Sequence, residues 1–135
     1  MAKIKIATED EKRNFKKLAF QALKACDVAT SFFSWLCIES KVEGFSSRDF
    51  AEMCISMGPE FFEKFPDYCE PKVVQGFKTQ VDEAIKAANI PEDFFGWVSI
   101  DLKMRELEER VRAEVYVCIG KKCCESYKEY FNSKK

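Results

Sequence analysis

The chain has no histidine among its 135 residues, only 5 glycines and 4 prolines, and no charge surplus, with 22 basic against 23 acidic side chains. Each shortage excludes something. Without histidine the usual zinc sites are incomplete and the commonest general base near neutral pH is missing. Few turn formers argue against a many-stranded sandwich or barrel. A formal net charge of −1 leaves no cationic excess to neutralise phosphates, so no nucleic-acid partner is expected. No stretch approaches the ~18 uninterrupted apolar residues of a membrane span, and no membrane partner is expected. The opening Met-Ala-Lys-Ile-Lys-Ile lacks the ~7–15-residue apolar run of a secretory signal, which makes the cytoplasm the expected compartment. Basic residues gather only near the ends. Lys3, Lys5, Lys12, Arg13, Lys16 and Lys17 are interrupted by Glu9, Asp10 and Glu11, while Lys134 and Lys135 finish the chain, a pattern that reads as solvated surface.

Chemical motifs are missing too. There is no G-x-S-x-G, no glycine-rich phosphate loop and no dinucleotide fingerprint, so neither a catalytic residue nor a cofactor is assigned and a non-enzymatic protein is expected. The stretch around Gly44 is a poor calcium loop. With Gly44 as its sixth residue, Lys41 and Phe50 fall on the third and twelfth ligand positions, and neither can coordinate calcium.

What is present reads as an all-α, single compact domain spanning 1–135, large enough at 15.7 kDa to bury its own core. Shifting the sequence by 62 residues aligns it with itself without a gap. Of the 59 pairs between 15–73 and 77–135, 17 are identical, including Phe15/Phe77, Phe32/Phe94, Phe33/Phe95, Trp35/Trp97, Glu52/Glu114, Gly58/Gly120 and Tyr68/Tyr130. This agreement points to a tandem duplication, with repeat 1 at about 8–73 and repeat 2 at about 71–135. Two such small units are expected to share one core about a pseudo-twofold axis, as a fused homodimer would.

Each copy reads as three or four helices. Thr8 with Glu11 is a capping box, and Phe15, Leu18, Ala19, Ala22, Leu23 and Cys26 follow at helical spacing. Asn89-Ile90-Pro91 stops one helix and starts the next. A third helix is expected from about Ser47 to Met57, stopped by Gly58 in the left-handed cap position, with Gly120 ending its counterpart. Pro59 starts a short fourth helix. Lys103 to Arg112, with i,i+4 pairs such as Glu106/Arg110, is expected to be helical, so that one long helix of the second copy replaces two of the first.

Seven cysteines raise metal and redox chemistry, yet no C-x-x-C occurs and none of the seven is kept in both copies. Buried structural thiols are therefore expected and no metal site is assigned. The alternative is a redox sensor using Cys123/Cys124, whose thiols Lys121 and Lys122 would acidify. Acids kept in both copies, such as Glu52/Glu114 and Glu63/Glu125, are expected to face solvent.

Aromatics are abundant, with 13 Phe, 4 Tyr and 2 Trp, and both tryptophans are expected in the shared core near the axis. Phe20, Phe50, Phe61, Phe62 and Phe65 have Asp82, Arg112, Cys123, Cys124 and Tyr127 as their repeat mates, so the first copy is the more apolar. The candidate partner-binding residues are Phe61, Phe62 and Phe65, on a short helix where at least one must point outward. The leading expectation is a cytosolic adaptor, inhibitor or assembly component that binds an unidentified protein partner. The alternative is a carrier or sensor holding an apolar small molecule between the two repeats.

Overall fold

The computed structural model describes residues 7–133, which form helices and connecting turns with no strand among the described residues. Lys3, Lys5, Lys134 and Lys135 of the sequence reading lie outside that range. In chain order the helices are α1 (Glu9–Ala25), α2 (Ala29–Glu43), α3 (Ser47–Ser56), α4 (Gly58–Lys64), α5 (Lys72–Ala87), α6 (Pro91–Met104), α7 (Glu109–Ser126) and α8 (Lys128–Ser133).

Local signals place most of these ends. The Thr8 hydroxyl accepts the Glu11 amide and the Glu11 carboxylate accepts the Thr8 amide, a complete capping box. Phe15, Ala19 and Leu23 then form the buried stripe of α1, at i,i+4 spacing, and Val74, Phe77 and Val81 form that of α5, at i,i+3 and i,i+4. Gly44, at φ 73°, closes α2 in the left-handed conformation that side chains disfavour. Ser46 accepts the Asp49 amide to start α3, and Pro91 opens α6.

Two local expectations need correction. Gly58 is not a left-handed cap: it opens α4, and Gly120 lies inside α7, which runs on to Ser126. What these glycines supply is room. A Cβ on Gly58 would stand 2.7 Å from the Gly120 Cα, and one on Gly120 would strike the Ile55 carbonyl oxygen. The backbones of the α3–α4 junction and α7 cross there at a separation no side chain allows.

Lys103 to Arg112 is not one helix either. α6 stops at Met104, Glu106 takes a positive φ of 58°, and α7 begins only at Glu109. Arg105 pairs back along α6 with Asp101 at 2.9 Å rather than forward with Glu109, and a tertiary contact holds it there, its guanidinium lying 4.7 Å over the Phe77 ring. The long helix of the second half is α7, whose residues align with α3 plus α4. No proline interrupts it, because Lys121 stands where the first half has Pro59.

α7 is the centre of the packing, resting on α2, α3, α4, α5 and α8, while α3 also rests on α6. The core between them includes Phe32, Phe33, Leu36, Ile55, Phe61, Phe94, Phe95 and Val98, all at 0% exposure. The tryptophans sit at the margin of this core, each half-buried in its own half of the chain. Trp35 lies against Phe15 and Phe32, and Trp97 lies against Phe77 and Phe94. No described helix is long and apolar enough to cross a membrane.

Candidate functional site

The three phenylalanines of α4 gather into a mostly internal aromatic cluster. Phe61 is 0% exposed, with the rings of Phe33, Phe62, Phe65 and Tyr68 centred 5.0–5.3 Å away. Phe62 and Phe65 are half-buried against the core. The exposed apolar side chains lie elsewhere, with Ile38 and Val42 on α2 at 62% and 72%, and Ile100 and Met104 on α6 at 62% and 77%. Sequence reasoning passed over them because single aliphatic residues on a helix suggest core. Their one signal was that the 62-residue shift lays Ile38 on Ile100 and Val42 on Met104.

The two cysteines of the pair sit in unlike environments. Cys123 is fully buried, and burial first, then Cys124 and Asp82, push its thiol far above the usual range, opposite to the acidification expected from Lys121 and Lys122. Both lysines are exposed on α7. Cys124 is half-buried, its Sγ 3.9 Å from the Ile55 carbonyl oxygen. Cys54 and Cys118 are buried as well, and Cys69 is the exposed thiol.

The repeated glutamates Glu52 and Glu114 are buried, contrary to the solvent-facing expectation, and each accepts a bond from a tyrosine of the other half. Tyr130 donates to Glu52 Oε2 at 2.9 Å, and Tyr68 donates to Glu114. Around Glu52 the site is ionic. Lys12 Nζ donates to Glu52 Oε1 at 3.1 Å and sits 3.4 Å from Asp49 Oδ1, while the Ala7 amide donates to Asp49 Oδ2. Burial draws the Lys12 ammonium down, but Glu52 and Asp49 together outweigh it and hold its pKa above the ordinary lysine value. Around Glu114 the corresponding residues are Val74 and Val111. Burial without a cation raises the Glu114 carboxyl above its ordinary 4.5. A cavity of about 20 Å³ beside Lys12 and Glu52 has room for one water and no substrate.

Two larger clefts lie where the halves meet. The first, of about 590 Å³, is lined by Phe20, Pro59, Cys124 and Phe131, and by Arg13, Lys16, Lys17 and Lys128 with the single acid Glu60. The second, of about 730 Å³, is lined by Phe62 and Val81 together with Lys78, Lys121, Lys122, Glu70, Asp82 and Glu125. Eight lining positions of the first cleft reappear in the second after the 62-residue shift, among them Lys16/Lys78, Phe20/Asp82, Ser56/Cys118 and Phe62/Cys124. Of the sequence candidates, Cys124 and Phe62 therefore line equivalent clefts, whereas Phe61, Phe65 and Cys123 line neither.

No family model, curated protein or solved structure matches this chain.

Proposed function

We propose that this chain is a tandem duplication folded as a fused dimer, and that it works as a binding protein, holding an apolar small molecule in the cleft between its copies. Reciprocity supports the duplication. An isologous interface requires that if residue i of one copy meets j of the other, then j of the first meets i of the second. Tyr68 with Glu114 and Tyr130 with Glu52 satisfy that condition, and Gly58 touching Gly120 is what residues on the axis itself would do. The ligand reading is carried by the 590 Å³ cleft, whose size lies within the ~300–1,000 Å³ of small-molecule sites and whose lining includes Phe20 and Phe131. A non-enzymatic role is supported by the buried carboxylates Glu52 and Glu114, which are occupied by tyrosine and lysine partners and line neither cleft.

The test is native mass spectrometry of the purified protein before and after Phe20→Asp, which installs the residue found in the second cleft. The parent should carry a co-purified apolar ligand at one per chain and the variant should lose it while keeping its helical spectrum. A ligand-free parent that also fails to take up added apolar compounds would remove the reading.

The exposed Ile38 and Val42 with Ile100 and Met104 favour a second reading, a protein partner docking on the outer faces of α2 and α6. Because the pairs are equivalent in the repeat, such a partner would bind twice per chain. Ile38→Asp should halve the stoichiometry in analytical ultracentrifugation with the isolated partner, and Ile38→Asp with Ile100→Asp should abolish it.

A further inference from the structure

We infer that the 590 Å³ cleft takes a free, single-chain anionic amphiphile, one apolar tail carrying one carboxylate, sulfate or phosphate head. The inference rests on the ligand reading above and specifies its chemistry. The second cleft serves as an internal control, because the two occupy equivalent positions and differ in the groups that a ligand would meet.

In the second cleft three cations are matched by three acids, Glu70, Asp82 and Glu125, and Lys78 is held by Glu70 at 2.6 Å. An entering anion would have to displace Glu70 from Lys78 and would meet Asp82 and Glu125 as like charges. In the first cleft Arg13, Lys16, Lys17 and Lys128 face one acid, Glu60. Arg13 is paired with Asp10 at 2.7 Å, but Lys16, Lys17 and Lys128 have no carboxylate within ion-pair distance among the described residues. The cationic surplus of the first cleft comes from Arg13 and Lys17, whose repeat mates Gln75 and Thr79 do not line the second cleft, while Glu125 lines only the second. Over the eight equivalent positions the two clefts carry the same net charge, because Pro59 and Glu60 stand where the second has Lys121 and Lys122, but Phe20 puts an aromatic ring where the second cleft has Asp82. The first cleft thus combines a cationic lining with Phe20 and Phe131.

That combination selects one ligand class. Cations beside a low-dielectric wall concentrate positive potential, and charge-assisted bonds to an anionic head are stronger than neutral ones. Phe20 and Phe131 offer the tail a surface that a purely polar anion such as inorganic phosphate would leave unused. The volume suits one small molecule rather than a peptide helix. A membrane-held lipid is the poorer source, since the chain's formal charge of −1 gives no net attraction to an anionic bilayer.

Isothermal titration with oleate below its critical micelle concentration, and with oleyl alcohol, tests this. Oleate should bind one per chain and at least tenfold more tightly than the alcohol. Lys17→Glu combined with Lys128→Glu, both at exposed positions, should weaken oleate at least tenfold and leave the alcohol unchanged, with thermal unfolding confirming that the variant folds. Equal binding of alcohol and acid, or indifference to the charge reversal, would overturn the anionic class while leaving the apolar-ligand reading standing. Binding to neither compound would overturn both. Association with phosphatidylserine vesicles in sedimentation, without binding of monomeric oleate, would overturn the free-ligand inference in favour of a membrane source.

Discussion

Glu52 and Glu114 show how one residue type, placed twice by the same sequence pattern, acquires two characters. Lys12 neutralises the first, whereas the positions matching Lys12 and Asp49 in the second half are Val74 and Val111. Removing the cation leaves two buried carboxylates, Asp49 and Glu52, with only Arg48, 3.8 Å from Asp49, as a counter-charge, so Lys12→Met should cost about 3 kcal/mol in urea denaturation at pH 7. For Glu114 the sign runs the other way. Its folded pKa lies above the unfolded value near 4.5, so the native state holds the proton more tightly and stability declines as pH rises from 4.5 through the folded pKa. Glu114→Gln keeps an acceptor for Tyr68 and should remove that decline, making the variant the more stable at pH 7 but not at pH 4. Urea midpoints at the two values check it. Among the thiols, Cys69 should react first with Ellman's reagent in the native protein, with Cys54, Cys118 and Cys123 silent until unfolding.

Glycine separates two roles at the level of the helix. Gly76 in α5 and Gly96 in α6 have open space where a Cβ would go, so alanine at either should stabilise by ~0.5–1 kcal/mol through helix propensity alone. Gly120→Ala meets backbone instead and should lose ~2 kcal/mol or more despite the same propensity gain, as thermal melts would register. The sequence made the existence of the helices legible, because capping boxes, proline starts and apolar stripes are local signals, as at Thr8, Pro91 and Phe15. It did not reveal that Gly58 and Gly120 lie against each other, since a glycine before a proline reads locally as a stop. The break at Arg105 was hidden for the same reason: the Phe77 ring that holds Arg105 is distant in sequence. The clefts were legible only as a difference between repeat mates, Phe20 against Asp82. The charges around them, on α1, α7 and α8, needed the fold to bring them together.

Across the whole molecule α7 touches most other helices, so the two halves have no separate interiors. Amides of Val115 to Ile119, on a stretch buried on every side, should therefore exchange with deuterium only through global opening and set the slowest rates in the chain.

The same centrality has a consequence for synthesis. A ribosome delivers α2, α3 and α4 well before α7, and until residue 126 has emerged the apolar faces of Phe33, Ile55, Met57 and Phe61 lack the helix that completes their cover. The first half is thus a nascent segment with its core surface bare for the time needed to make about sixty more residues, several seconds at ~5–20 residues per second. Truncation before α7 would strand it in that condition, a ready target for chaperones and proteases.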